Sequence, residues 1–353
     1  MEGRLLQSLV LLWVLLPLCI RSQSNFEQSD QEAITYLFEG QEVQSIKLSY
    51  KSKDLAEKSN DSTYVNAELH YRTSENIWKL LPAEVRVRGG FRKSFCYFTP
   101  LKMKIDKEDA HGSPFEKDRK MKLVLPCLKS KSADDNLIKE YMAYKIYETL
   151  STYHFKTRLL EVELNQIKKG KTDQYMLMGF AIQDDESFAE SHNGKEIERF
   201  IDYNAQDEKY RVINALFQYM IGNTDFSTVY LHNEKLFYID DMIVPVPYDF
   251  DMSGLVDASY AVVSQVRNEV LPITEVTNRL YRGFEADETT LQTVRSEFIA
   301  KEEAVFQSID SLKTYFSDLR EFESSRKFIA GFYEVLHDDK KFRKRIIDKS
   351  RKK

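Results

Sequence analysis

Apolar and polar positions along this chain change their period near residue 184. Before it, alternation dominates: Val65, Ala67, Leu69 and Tyr71 share one face between polar neighbours, as a half-buried strand requires. Short β-type runs are predicted at 34–38, 46–50, 85–88, 101–105, 121–125, 159–164 and 175–182. One helix interrupts them over 137–150, with Ile138, Tyr141, Met142 and Ile146 as its apolar stripe and Asp134 or Asp135 as its N-cap. From residue 197 the spacing turns helical, giving helices over 204–221, 291–309 and 322–336. A hairpin of 236–239 and 243–248, turning at Asp240 and Asp241, sits among them. Pro245 and Pro247 forbid its second run a central place in a sheet. The class is α+β, with a strand-rich part over 25–184, a helix-rich part over 185–339 and a basic tail over 340–353.

Residues 5–20 are almost wholly apolar, behind Arg4 and ahead of Arg21, Ser22 and Ser24. That run is short for a membrane span and reads as a signal peptide, residues 1–24, cleaved near Asn25, so the mature chain is expected to be exported, periplasmic or secreted. Lipid anchoring at Cys19 is disfavoured because Leu16, Pro17 and Leu18 lack the small residue that lipidation needs. No later apolar run is long enough to cross a bilayer. With 42% hydrophobic and 30% charged residues and a net charge of -5, the chain has the makings of two folded lobes and lacks the basic surplus of a nucleic-acid binder. The tail 340–353 reads as a solvated helix terminus. After cleavage Cys96 and Cys127 remain, either bridged or as two buried thiols. Without a CxxC or a His-rich cluster, a structural zinc site is not expected.

The candidate chemistry lies in 219–261. Asp225, Asp249 and Asp251 stand at predicted strand ends, with Asn223, His232 and Asn233 between them. Any one of these aspartates alone is an ordinary turn former or cap. Together, hard oxygen ligands at strand ends suit Mg²⁺ and phosphate chemistry. A helix delivers the chain to this segment and ends at Gly222, where a residue tolerant of positive φ is wanted. In the first half, Val85-Arg86-Val87-Arg88-Gly89-Gly90-Phe91-Arg92 is a strand entering a Gly-Gly turn among arginines. Such a turn can offer backbone N–H groups and guanidinium forks to a phosphate, or can be a plain hairpin. Lys102 and Lys104 share one face of the next strand, and Glu140 lies in the first turns of the helix. Neither a Walker loop nor a G-x-G-x-x-G occurs.

Gly222-Asn223-Thr224-Asp225 followed by Asp249-Phe250-Asp251 resembles the G-N-x-D and D-x-D motifs of the CotH-like spore-coat kinases, and Val87-Arg88-Gly89 is similar to their V-R-G turn. The resemblance spans roughly residues 83–260. It implies a bilobal protein-kinase-like fold and Mg²⁺- or Mn²⁺-dependent transfer of phosphate from ATP to a hydroxyl on a protein or small molecule. It assigns Asp225 to the acceptor hydroxyl and Asp249, Asp251 and Asn233 to the metal, with Asn223 the other candidate for the second ligand. Arg88, Lys102 and Lys104 would meet the nucleotide, one lysine pairing with Glu140, and the adenine would lie against the strand exit at Asp184 and Asp185. Five residues after the catalytic Asp, where kinases carry Asn, this chain has Tyr230. Read from the residues, Arg267, Arg279 and Arg282 would hold an anionic acceptor group or the loop itself, or stand on a helix surface. The departure at Tyr230 keeps a second reading open, a non-catalytic binding or envelope-structural protein on the same frame. A glycosidase fits less well, because Asp249 and Asp251 are two apart on one extended run.

Overall fold

The alternating half folds as strands that close on themselves. The computed structural model describes residues 34–60, 62–264 and 270–352, so the predicted leader, Cys19 and Arg267 lie outside the described residues. Strands β1 (Gln44–Lys51), β2 (Val65–Arg72), β3 (Trp78–Val87), β4 (Leu101–Lys104), β5 (Lys120–Val124), β6 (Thr157–Lys168) and β7 (Lys171–Gln183) form a closed barrel in the order β1-β2-β3-β4-β5-β7-β6. Every pairing is antiparallel except β1 with β6. Closure leaves no edge to protect. It also explains the alternation, since Leu48, Leu69, Val85, Leu123 and Leu164 point inward and are wholly buried.

Two predicted strand boundaries change. Residues 34–38 form a turn, not a strand: Leu37 and Phe38 are apolar because they are buried, and the Leu37 N–H donates to the Pro114 carbonyl at 2.8 Å. β3 begins at Trp78, well before the predicted run, and carries Pro82 opposite Glu68 of β2.

Short helices α1 (Ser52–Lys58), α2 (Phe91–Phe95) and α3 (Lys107–Ala110) decorate the barrel. Helix α4 (Lys131–Leu150) starts earlier than predicted because Ser130 is its cap, its hydroxyl accepting from the Ala133 N–H at 3.3 Å. Asp135 is instead buried and accepts the N–H groups of Ser317 and Asp318 at 2.6 and 3.2 Å, tying α4 to the C-terminal helices.

Beyond the barrel come α5 (Asp185–Ser191), β8 (Lys195–Ile197), α6 (Glu208–Met220), β9 (Glu234–Ile239), β10 (Met242–Pro247), α7 (Glu288–Ala300), α8 (Glu302–Asp310), α9 (Leu319–Leu336) and α10 (Asp339–Arg345). The small sheet runs β10-β9-β8, and the proline-bearing β10 takes an edge as its prolines require. The predicted helix 291–309 is two helices that break at Lys301, whose Nζ reaches the Leu150 carbonyl at 3.0 Å. The basic tail is docked where solvent was expected: Phe342 and Ile346 are buried, and Arg351 pairs with Phe284. Among the described residues, no helix is long and apolar enough to cross a membrane.

Residues 34–353 form one compact unit with two hydrophobic cores. One fills the barrel. The other surrounds α4 and α6 and takes in Met142, Ile146, Phe217 and Phe250. Although α4 precedes β6 and β7 in sequence, it belongs to the helical core. Its outward reach brings Glu140 and Tyr144 to the functional loops.

Candidate functional site

Two loops are stitched side by side where α6 ends and where β10 ends. Gly222 adopts φ +64° after α6, and its carbonyl accepts the Gly254 N–H at 3.1 Å while the Ile221 carbonyl accepts that of Leu255 at 2.9 Å. A Cβ at Gly254 would stand 2.4 Å from the Val276 carbonyl oxygen, so this crossing admits no side chain. Arg279 donates to the carbonyls of Met220 and Phe328, and Arg282 to that of Thr224 at 2.7 Å. Both arginines thus hold the loops.

On the first loop, Asp225 is a well-supported carboxylate. It accepts from His232 Nε2 at 3.1 Å, Ser264 Oγ at 3.1 Å and Asn233 Nδ2 at 3.0 Å. Burial pushes its carboxyl up, but these hydrogen bonds outweigh burial and hold it below the usual carboxylate range. The same contact raises His232 above its ordinary value. Asn223 supports the loop from beneath, its Oδ1 accepting the Asp225 N–H at 2.8 Å and its Nδ2 donating to Gln218 at 2.9 Å. Tyr230 is exposed.

On the second loop, Phe250 packs into the core against Tyr144 and Phe217, at ring separations of 4.6 and 5.2 Å. Asp249 and Asp251 flank it. Asp249 holds a left-handed φ of +64°, an unfavourable backbone for most side chains, and its N–H donates to the Tyr144 hydroxyl at 2.9 Å. Asp251 is 4% exposed and accepts from the Tyr260 hydroxyl at 3.1 Å.

The cation among these carboxylates is Arg92. The Gly-Gly turn does not form a hairpin; after Gly89 at φ +84° the chain enters the five-residue α2, whose C-cap is Cys96. Cys96 and Cys127 are bridged, with Cα atoms 4.6 Å apart. Arg92, 8% exposed, donates from Nη1 to both Glu140 oxygens at 3.2 and 3.4 Å. It stands 3.5 Å from Asp249 and 3.6 Å from Asp251. Burial works against its charge, but the three carboxylates outweigh burial and keep it protonated. Burial lifts the Glu140 carboxyl to about 8, with Asp251 and Asp249 adding to the rise and Arg92 opposing it. Burial, together with the charges of Asp249 and Asp225, lifts Asp251 to about 6 against the pull of Arg92. The Asp225 charge is therefore felt at Asp251.

The expected pairing of Glu140 with Lys102 or Lys104 is not made. Lys102 pairs with Asp184, where β7 leaves the barrel, and Lys104 pairs with Glu84, its cross-strand neighbour on β3, at 2.8 Å. The reason is position along β4: Lys102 meets Asp184, whereas Lys104 sits opposite Glu84 with Asp106 3.5 Å away. Opposite Lys102 on β5, the buried Lys122 pairs with Asp185 and lies 4.7 Å from the Phe155 ring and 5.2 Å from that of Tyr248. Burial pulls its ammonium below the ordinary lysine value. Arg88 exerts its charge on both Glu140 and Lys122. Arg92, Lys122 and Tyr144 are the residues that sequence reasoning missed. Arg92 was visible as the third arginine of the Gly-Gly segment, while nothing local marked the other two.

Among the described residues, no group of three or more His, Cys, Asp or Glu side chains stands ready to hold a metal. Mg²⁺ asks for less, since it takes one or two carboxylates and keeps its other positions for water and phosphate oxygens. Asp249 and Asp251 are hard oxygen donors of that kind, both within 3.6 Å of the Arg92 guanidinium.

No family model matches the chain, and no curated protein matches it. Among solved structures, a Helicobacter pylori proinflammatory kinase, CtkA, aligns over 83% of this chain and 92% of its own, at 10% identity and a TM-score of 0.32. A likeness that weak carries no argument.

Proposed function

We propose that this chain is an exported phosphotransferase of the CotH-like atypical kinase type, moving phosphate from ATP to the hydroxyl of a protein or small-molecule acceptor. The observation that carries the reading is that the loop of Asp225 and the loop of Asp249 and Asp251 are joined backbone to backbone, Gly222 accepting from Gly254 and Ile221 from Leu255, with Arg92 3.5 and 3.6 Å from the latter two carboxylates. Asp249 and Asp251 would hold Mg²⁺ or Mn²⁺, with Asn233 as the further ligand, because both amide ends of Asn223 are already engaged in the loop. The metal supplies charge neutralisation on the transferring phosphate. Asp225, kept ionised by its hydrogen bonds, accepts the acceptor hydroxyl proton as the new P–O bond forms and the bond to the ADP oxygen breaks. An aspartate is a weak base, but loose phosphoryl transfer asks chiefly for positioning. Lys102 and Arg88 offer cations to the phosphates from the barrel side.

The test is calorimetric titration of the mature chain with ATP, with and without Mg²⁺ or Mn²⁺, followed by phosphate transfer from labelled ATP. Metal-dependent binding with turnover supports the kinase. Binding without turnover supports the rival binding-protein reading, which the Tyr230 departure favours, and no binding removes both. Export is tested separately by N-terminal sequencing of the protein from its host, where a start near Asn25 is expected.

A further inference from the structure

We infer that Arg92 is the phosphate-gripping cation of this site, in the place where a strand lysine was expected, and that the Cys96–Cys127 bridge positions it. The inference rests on the phosphotransferase reading and names a residue that neither the motifs nor the resemblance supplies.

Three observations carry it. First, one guanidinium faces three carboxylates, with Glu140 at 3.2 and 3.4 Å, Asp249 at 3.5 Å and Asp251 at 3.6 Å. On the phosphotransferase reading Asp249 and Asp251 would be taken up by the metal, so Glu140 is the partner that Arg92 would keep. Second, the buried Arg92 Nε makes no hydrogen bond although it faces Asp251. A guanidinium is a fork of five donors matched to phosphate oxygens, so a buried fork with a donor unengaged has bonding capacity directed into the site. Third, the bridge joins the two elements that carry the ion pair. Cys96 caps the helix holding Arg92, Cys127 opens the segment leading to α4 and Glu140, and the Tyr97 N–H donates to the Cys127 carbonyl at 2.8 Å.

In a complex with a nucleotide and its divalent cation, Asp249 and Asp251 would hold the cation, which would supply the neutralising charge that Arg92 supplies to them here. Arg92, still held by Glu140, turns its remaining donors to the phosphate oxygens. Arg92 would then contact the substrate, with Glu140 and the bridge as positioning elements.

The experiment measures binding of the non-hydrolysable analogue AMP-PNP with Mn²⁺ by calorimetry, and of Mn²⁺ alone by electron paramagnetic resonance, on the folded full mature chain. Arg92→Gln should weaken Mn²⁺·AMP-PNP by about tenfold or more, the cost of losing charge-assisted hydrogen bonds, while leaving Mn²⁺ alone bound as well or better. Arg92→Lys, which keeps the buried charge and decides the matter if the glutamine variant does not fold, should recover only part of the loss. Cys96→Ser with Cys127→Ser should weaken the analogue without weakening Mn²⁺ alone. If the wild type binds the analogue and both Arg92 variants bind it equally well, the inference fails and the kinase reading stands. If the wild type binds no analogue, both fall.

Discussion

Two clusters of ion pairs in this molecule differ in how fully their charges are matched. Around Arg92 stand three carboxylates, Glu140, Asp249 and Asp251. Around Asp184 and Asp185 stand Lys102, Lys122 and Lys235. The first sets one cation against three carboxylates; the second is matched, because Lys235 also pairs with Glu196 at 2.5 Å, and burial is the main cause that lowers Lys122 against the pull of Asp185. A fold with no ligand to serve gains little from an unmatched buried charge, since a surplus costs desolvation without a full set of partners. A divalent cation would supply the positive charge that the Arg92 cluster lacks.

The comparison is broken most directly by removing each central cation. Arg92→Met strands three carboxylates and should lower stability by about 3–5 kcal/mol, measured by urea unfolding near neutral pH. Lys122→Met should cost less, because Asp185 keeps Lys235 at 3.6 Å. Equal losses would mean that the two clusters are not asymmetric. The Cys96–Cys127 bridge, at a sequence separation of 31, should come next: by loop-closure entropy its removal costs about 3–4 kcal/mol in the same assay.

A smaller effect sharpens the acidic side. Saturating Mg²⁺ or Mn²⁺ should stabilise the wild type by about 2–3 kcal/mol at a hundredfold excess over the dissociation constant, read as a rise in melting temperature. Asp249→Asn should lose most of that rise. An undiminished rise in the variant would place the cation elsewhere.

The strand-rich and helix-rich halves were legible in the sequence because burial writes itself as a period, two along β2 and 3.6 along α6. So were the edge position of β10 and the positive φ of Gly222, each dictated by one residue type. Closure of the barrel was not legible, since the parallel pairing of β1 with β6 joins segments more than a hundred residues apart. The site divides the same way. The aspartates stood out as a motif, but the partner of Glu140 was misread because ion pairing depends on where α2 folds back, and a five-residue helix after two glycines leaves no periodic trace.

A buried carboxyl beyond both clusters gives a control for pH. Burial lifts Glu234 from 4.5 to about 8, although Asn214 and Thr228 donate to it and oppose the rise. Between those values the folded chain binds a proton that the unfolded chain does not, so this contribution to stability is full below 4.5 and is lost as pH rises through about 8. Glu234→Gln should therefore gain on the wild type by up to about 1.4 kcal/mol per pH unit within that window, in paired unfolding curves at pH 5 and pH 8. A constant difference would show that Glu234 is ionised in the fold.

The smallest effect belongs to Lys104, and it separates a residue of the site from one that only shares its strand. Lys102 and Lys104 lie two apart on β4 and look equivalent in the sequence. In the fold, Lys102 joins the basic cluster through Asp184, while Lys104 forms a partly exposed pair with Glu84, with Asp106 3.5 Å away. Exposed pairs of that kind contribute about 0–1 kcal/mol, so Lys104→Gln should hardly move the melting temperature. It should also leave nucleotide affinity as it was, because its charge is already met by Glu84 and Asp106. Lys102→Gln should weaken nucleotide binding, since it removes a cation beside the strand exit and leaves Asp184 buried and less well compensated. If Lys104→Gln weakens nucleotide binding as much as Lys102→Gln does, the phosphates lie further along the barrel than the two clusters place them. The division of labour between acidic and basic halves would then have to be redrawn around β4.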